Sequence, residues 1–465
     1  MKKSDLRKRL YMALALALLM ALQLCCWGFV WMNTYANAIV RPFGYKGNWL
    51  VVAVYGLLLA VFTRIYGGGH IDNLKRGDLF ASNALAALFA NGITYLETCL
   101  VARGLVILRP FVLMTAVQLV LLWVWSTVFS VIYRRVFPPR QLLVVYGRRE
   151  SMESLMVKMR TRSEKYEVEG VINVAEGVAR VERKIAGSQA VLLCDIHAGD
   201  RNLLLKYCFQ HKIRVYLTPS ISDTMVRGAK PIHLFDSPLL LCKNEGLTPE
   251  QRFAKRAADL VLCAVACIPG LPLMAIVAAA VYLQDRGPVL FRQDRLTRDG
   301  RVFTLYKFRS MVVDAERDGA RLAKEDDDRI TPVGRVIRRL RLDELPQLLN
   351  ILRGDMSFVG PRPERPEIAR VYETYMPEFS FRLRVKAGLT GYAQVLGKYN
   401  TTPYDKLRLD LMYIANYSFF EDVKLVLMTI KTLFQRESTE GVEGRLAMDP
   451  TPEDAAPPKS DSDPA

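Results

Sequence analysis

Asp343 and Glu344 are neighbouring carboxylates in the run Gly334-Arg335-Val336-Ile337-Arg338-Arg339-Leu340-Arg341-Leu342-Asp343-Glu344-Leu345-Pro346-Gln347-Leu348-Leu349-Asn350. Two carboxylates flanked by arginines admit three chemistries. They can cap a helix and pair with surface cations; they can hold a divalent metal for phosphoryl transfer; or one can attack phosphorus and carry the group as an acyl phosphate. A carboxylate is a weak base but an able nucleophile toward a phosphorus whose oxygens are neutralised by cations. Pro346 is tolerated only in a helix's first turn and Gly354 supplies a stop, so a helix should begin near Asp343. Its positive end, with Arg338 and Arg341, would keep both carboxylates ionised.

The charge balance points to the same kind of substrate. The 465 residues carry a net charge of +17, and between Arg286 and Lys398 there are 23 basic residues against 16 acidic, 19 of the basic ones Arg. Arginine offers a rigid fork for phosphate and is the less hydrated cation. Nucleic-acid binding would favour lysine-rich runs interleaved with aromatics, which are absent, so no nucleic-acid partner is expected. A phosphorylated small molecule beside a lipid surface fits better.

Other chemistries are excluded by what is missing. The four His (His70, His197, His211, His233) all precede the carboxylate pair, and the eight Cys contain no CxxC spacing, so neither a zinc knuckle nor a disulfide framework is indicated. Cys263 and Cys267, four apart on an apolar helix, read as packing residues. No Walker A, HExxH or EF-hand pattern occurs. Glu325-Asp326-Asp327-Asp328 looks like the metal motif of nucleotide-sugar glycosyltransferases, but acid runs are more often solvated loops.

Five ordered motifs resemble the bacterial polyprenyl-phosphate sugar-phosphate transferases, the monotopic phosphoglycosyl transferases that begin polysaccharide assembly. They are Lys307-Phe308-Arg309-Ser310-Met311, Leu342-Asp343-Glu344-Leu345-Pro346-Gln347, Gly354-Asp355-Met356-Ser357, Val359-Gly360-Pro361-Arg362-Pro363 and Gly388-Leu389-Thr390-Gly391. The resemblance covers about Arg252 to Gln435, and the front half is similar to the long-chain branch of the family. It implies that Asp343 attacks the sugar-bearing phosphate of a UDP-hexose (glucose or galactose) and expels UMP, after which undecaprenyl phosphate takes the phosphosugar. It further implies Mg²⁺ on Glu344, phosphate neutralisation by Lys307, Arg309, Arg338 and Arg362, a nucleotide-seating turn at Pro361-Arg362-Pro363, and an additional acidic position at Asp410. Two departures stand out: Leu271-Pro272 replaces the usual Ser-Pro, and Gly397-Lys398-Tyr399 stands where Arg-Asn is common, so Lys398 keeps the charge of a phosphate ligand but loses the fork.

The elements that must position this chemistry make a multi-domain membrane protein. Leu10–Val40, Gly47–Thr63, Leu79–Leu96 and Phe111–Tyr133 read as four spans, the third weakened by Asn83, Asn91 and the adjacent Glu97; an intramembrane group such as Glu97 can mark function, but a position at the interface fits better. The basic start, Lys2 to Arg9, resembles a signal peptide, but the apolar run is long and lacks a small-residue cleavage site. Eleven Lys and Arg on one side against Arg41, Lys46, Arg103 and Arg109 on the other place both ends of this unit inside. Short apolar runs at Leu142–Tyr146, Tyr166–Val174, Ala190–Asp195, Arg214–Pro219 and Pro238–Lys243 read as a small parallel sheet with helices. Its first turn, Gly147-Arg148-Arg149-Glu150-Ser151, has one glycine where a dinucleotide site needs three, so a regulatory or dimerising role is expected. Ala257–Leu283 is apolar apart from Asp259, and Ile268-Pro269-Gly270-Leu271-Pro272 should kink or break it. Each half of about 12 residues reaches ~18 Å, about halfway through a bilayer, which favours a re-entrant hairpin with Pro272 at the break.

The expected architecture is therefore a four-helix transmembrane domain (1–137), a Rossmann-like α/β domain (138–248), a re-entrant membrane helix (249–284), a mostly α-helical catalytic domain (285–440) and a disordered tail (441–465). The expected location is the bacterial inner membrane, with the catalytic domain on the cytoplasmic face and a homodimer as the assembly.

Overall fold

The computed structural model describes residues 3–37, 39, 42–161, 164–242, 246–313, 327–397 and 401–433. Its contacts divide the chain into two units, Met1–Thr218 and Pro219–Ala465. Five helical stretches are long and apolar enough to cross a membrane (Asp5–Tyr35, Tyr45–Tyr66, Arg76–Ala102, Arg109–Val136 and Pro249–Asp285), so this is a membrane protein.

The first unit opens with α1 (Lys3–Val30, continued by a wider π turn), α2 (Tyr45–Tyr66), α3 (Arg76–Ala102) and α4 (Arg109–Val136). The third span, weakest in sequence, is a regular 27-residue helix. Its asparagines face inward. Asn91 donates to Gln118 and to Thr115, both at 2.8 Å, and accepts from Tyr55 at 3.0 Å, while Gln118 donates to Tyr55 at 2.9 Å. Polar groups that would be costly against lipid thus satisfy one another between helices.

The α/β part runs β1 (Arg140–Tyr146), α5 (Arg149–Arg160), β2 (Tyr166–Asn173), α6 (Val178–Ala186), β3 (Ala190–Cys194), α7 (Ala198–Gln210) and β4 (Arg214–Leu217). The strands form one parallel sheet in the order β2-β1-β3-β4, its core filled by Val145, Ile172, Val191, Leu193, Ile185 and Leu204. The crevice between β1 and β3, where this topology places ligands, is occupied by the chain's own groups. Arg148 holds Asp195 through two hydrogen bonds of 2.6 and 3.1 Å, and Ser151 donates to the same carboxylate at 2.7 Å. A Cβ on Gly147 would lie 2.2 Å from the Asp195 carbonyl, so the turn glycine serves close packing.

The second unit begins with α8 (Ile221–Arg227) and the hairpin β5 (Lys230–Leu234) and β6 (Ser237–Leu241). This corrects one expectation: the run from Pro238 is not a further strand of the parallel sheet but pairs antiparallel with β5, because a two-residue turn brings a local partner within reach first. Ile221 of α8 packs with Ala369, Phe379, Leu407 and Leu411, and Gly228 lies against Ala415, so the segment after 218 belongs with the C-terminal half.

α9 (Pro249–Asp285) is opened by a capping box between Thr248 and Gln251. The predicted break is not an interruption of secondary structure: a single 37-residue helix contains both Pro269 and Pro272. Packing on either side of the prolines outweighs the two lost amide donors. Cys263 lies in a core with Phe303, Leu305, Leu348 and Ile351, whereas Val277 and Val281 lie in another with Phe308 and Ile337. The other side of α9 exposes Val261, Val265, Ile268, Leu271 and Ile276.

The remainder is β7 (Leu290–Leu296) paired antiparallel with β8 (Val302–Phe308), α10 (Pro332–Arg339), α11 (Gln347–Arg353), β9 (Ser357–Val359), α12 (Pro366–Tyr375), a 3-10 stretch Pro377–Arg384, β10 (Gly388–Thr390) parallel to β9, α13 (Tyr392–Val395), α14 (Pro403–Ala415) and α15 (Phe419–Leu433). The tail expected to be disordered lies outside the described residues.

Candidate active site

The carboxylate pair sits where three elements meet. α10 ends at Arg339, and Arg341 adopts a left-handed backbone (φ 53°) that turns the chain into a 3-10 stretch, Leu342–Glu344. α11 follows only at Gln347 with Pro346 as its cap, which corrects the helix start expected near Asp343. Asp343 and Glu344 therefore lie before the helix rather than in its first turn, and neighbouring side chains supply the field that the helix end was expected to supply. Asn350, fully buried on α11, accepts from the Tyr306 amide at 3.1 Å and donates to the Thr304 carbonyl at 2.8 Å. Those bonds fasten α11 along β8 and so fix Lys307 beside the pair.

The two carboxylates have different surroundings. Glu344 accepts from Arg362 at 3.1 Å, and the Lys307 ammonium lies 3.8 Å from the same oxygen. Burial alone would push Glu344 up, but Arg362, Lys307 and Arg341 together outweigh it and hold the carboxyl at about 2. Asp343 has no hydrogen bond or ion pair among the described residues. Burial and the neighbouring Glu344 charge push it above the ordinary aspartate value, against the pull of Lys307, Arg338 and Arg362. The expectation that both would simply stay ionised thus holds firmly for Glu344 and is opposed at Asp343.

The cations are held ready rather than spent. Burial lowers the Lys307 ammonium, with Glu344 acting against it. Among the described residues Arg338 Nη1 is buried without a hydrogen-bond partner, an orphan donor of the kind a phosphate oxygen satisfies. Arg362 is fixed from behind: its carbonyl accepts from Arg382 at 2.8 Å, and Arg382 in turn forms a 2.8 Å ion pair with Asp410. Asp410 is pushed up to about 6 by burial, against the charges of Arg382 and Lys406. The additional acidic residue therefore reaches the carboxylate pair through Arg382 and Arg362. Pro361, Arg362, Glu364, Phe379 and Arg382 line one cleft. Gly360 is required there, since a Cβ would lie 2.4 Å from the Lys386 carbonyl.

Arg309 is paired elsewhere. Its buried guanidinium is held by Asp285 at the end of α9, because a buried arginine needs a counterion, while its Nη1 has no hydrogen-bond partner among the described residues. Pro272 sits inside α9, away from the carboxylates in sequence and on a different element. Lys398, Glu325 and Asp326 lie outside the described residues, and Asp327 binds Arg329 through hydrogen bonds of 2.8 and 2.6 Å. Sequence reasoning missed Arg382, Lys406 and the fastening role of Asn350. Only Asn350 carried a signal, as a polar residue inside an apolar run.

Asp343 and Glu344 are hard oxygen donors. Among the described residues no group of three or more His, Cys, Asp or Glu could hold a metal. Mg²⁺ commonly takes one or two carboxylates and completes its shell with water and substrate phosphate, so this donor set fits it.

The fold and site define a membrane protein with a pinned and an unpinned carboxylate among basic side chains. The chain belongs to the bacterial sugar transferase family, whose model matches residues 250–436. It is 40% identical over 242 residues, 51% of this chain and 56% of the relative, to a UDP-N-acetylgalactosamine-undecaprenyl-phosphate N-acetylgalactosaminephosphotransferase of Aeromonas hydrophila. It is 40% identical to an undecaprenyl-phosphate glucose phosphotransferase of Komagataeibacter xylinus, over 48% of this chain and 44% of that protein. It is 38% identical to a UDP-glucose:undecaprenyl-phosphate glucose-1-phosphate transferase of Caulobacter vibrioides, over 45% of this chain and 81% of that one. The chain thus spans about half the length of the first two relatives and most of the third.

Proposed function

We propose that the protein is a phosphoglycosyl transferase that moves a hexose-1-phosphate, glucose or galactose in the first instance, from its UDP derivative to undecaprenyl phosphate. The reaction begins bacterial surface polysaccharide assembly. The observation that carries this reading is the unequal fate of two adjacent carboxylates: Glu344 is bound by Arg362, while Asp343 beside it has no hydrogen bond or ion pair among the described residues. A nucleophile must be unencumbered, and a charge-holding group must be fixed.

One Asp343 oxygen attacks the phosphorus that carries the sugar. The phosphorus–oxygen bond to UMP breaks, and UMP leaves with the electron pair. A phosphate oxygen of undecaprenyl phosphate then attacks the same phosphorus and frees the Asp343 carboxylate. Lys307, Arg338 and Arg362 bind the phosphate oxygens and oppose the charge that builds up between the two anions. Mg²⁺, held by Glu344 with Asp343 beside it, would add Lewis-acid neutralisation of the diphosphate.

Membrane geometry supports the placement. Lys255, near the start of α9, donates to Asp422 at 2.6 Å, and Asp285, at its end, is bound by Arg309; both partners belong to one compact unit. With both of its ends tied to the same C-terminal fold, α9 is read as bending at Pro269 and Pro272 to enter and return on the cytoplasmic face of the inner membrane, its exposed apolar side in lipid. The α/β part serves regulation or homodimer contact.

The test is UMP release with UDP-glucose, UDP-galactose and UDP-N-acetylgalactosamine, joined to mass measurement of quenched protein. A hexosyl-phosphate adduct at Asp343 when lipid acceptor is withheld supports the reading. Turnover without any adduct defeats it.

A further inference from the structure

Where α9 leaves the aqueous domain, Arg256 and Lys386 come together, and among the described residues neither forms an ion pair with a carboxylate. Arg256 is the last basic residue before the apolar run of α9, and Phe253, Leu260 and Val261 around it are exposed, which puts it at headgroup depth. Both of its terminal nitrogens donate to carbonyls at the end of α11, Ile351 at 2.6 Å and Leu352 at 2.7 Å. Those bonds fix the guanidinium without neutralising it. Across Gly354 stands Lys386: its Nζ lies 3.5 Å, and the Arg256 Cζ 3.6 Å, from the place a Cβ on that glycine would occupy. Among the described residues the Lys386 ammonium has no hydrogen-bond or ion-pair partner.

The surroundings do not supply the missing charge. Burial, Arg256 and Arg298 push the Lys386 ammonium down, Arg301 adds to them, and Asp259 alone opposes. Asp259 is already engaged, accepting from Ser357 at 2.9 Å and from the Phe358 amide at 3.0 Å. Arg301 is paired with Asp355 and Arg298 with the exposed Asp299. An unpartnered, half-buried ammonium facing a fixed guanidinium is an unmet demand for an anion that presents several oxygens at once.

We propose that Arg256 and Lys386 bind a phosphate group at the membrane surface, that of an anionic phospholipid headgroup, as a second phosphate site whose residues are distinct from those around Asp343 and Glu344. The site rests on α9 lying in the membrane and does not depend on the transferase chemistry. It would moor the domain at a defined depth and angle on anionic lipid.

Full-length protein in neutral detergent is titrated with phosphatidylglycerol, with phosphatidylcholine and with inorganic phosphate, reading lipid adducts by native mass spectrometry and the thermal midpoint. Lys386→Gln should weaken phosphatidylglycerol binding about fivefold. Lys386→Arg should restore it, and Arg335→Gln, an exposed charge on α10, should leave it unchanged. If inorganic phosphate raises the midpoint of the parent but not of Lys386→Gln while phosphatidylglycerol gives no adduct, the phosphate site stands with a soluble ligand. Equal loss in Arg335→Gln, or equal binding by the parent and Lys386→Gln, overturns it.

Discussion

Arg382 and Asp410 form a 2.8 Å ion pair whose side chains are 4% and 1% exposed, and the same guanidinium donates to the carbonyl of Arg362. The acidic residue thus acts on the carboxylate pair by holding the backbone from which Arg362 reaches Glu344. Asp410→Ala leaves Arg382 buried without its counterion, which should cost about 3–5 kcal/mol of stability. Asp410→Asn should cost less and still lower turnover, because Arg382 loses its anchor. Thermal unfolding and UMP release measured on both variants check this.

A pH dependence follows from the same residue. The folded-state value of Asp410, about 6, exceeds its ordinary 3.8, so the unfolded chain binds fewer protons between those limits. Stability therefore falls as pH rises from about 4 to 6, by up to ~3 kcal/mol from this group. Glu344 acts in the opposite sense, since its value of about 2 lies below the ordinary 4.5. Its contribution is present above about 4.5 and is lost as pH falls toward 2. Unfolding of Asp410→Asn across pH 4–7 should show the first slope removed.

Asp343→Asn should abolish the phosphosugar adduct and lower UMP release by about 10³ or more, as loss of a covalent nucleophile does. The variant should melt at or above the parent temperature. Burial and Glu344 both oppose the Asp343 charge, and the neutral amide removes that opposition. A large drop in melting temperature alongside lost activity would count against the assignment.

Arg362→Lys keeps a positive charge and loses the fork that reaches Glu344. Turnover should fall about 10- to 100-fold, with the larger part in kcat if Arg362 acts on charge that develops during transfer. Steady-state kinetics against UDP-sugar separate the two parameters.

Asn350→Leu removes both bonds to β8 and leaves the Tyr306 amide and the Thr304 carbonyl unpaired in the core. A loss of about 2–4 kcal/mol is expected. Thermal unfolding measures it, and Asn350→Ala, which strands the same two groups and adds a cavity, should be at least as severe.

The motif residues were legible because phosphate chemistry constrains residue type at fixed local spacing. Asp343-Glu344 stood out by residue type and spacing, whereas Lys307, Arg338 and Pro361-Arg362 were named through the motif resemblance. Apolar length likewise revealed the membrane helices, since spanning hydrocarbon is a demand on composition. Arg309 shows the limit of such reading, because a motif arginine looks the same in sequence whether it faces substrate or is paired with a carboxylate such as Asp285. The third span looked weak because asparagines are penalised in lipid, and only its neighbours Tyr55 and Gln118 show that Asn91 never meets lipid.

The sequence by itself determined which groups could handle phosphate and that the chain enters a membrane. Tertiary structure decided which of two adjacent carboxylates is bound and which is left open. It also kept α9 helical through two prolines. Both outcomes depend on residues far away in the chain, Arg362 for the first and the flanking cores for the second, and local propensity carries no information about such partners.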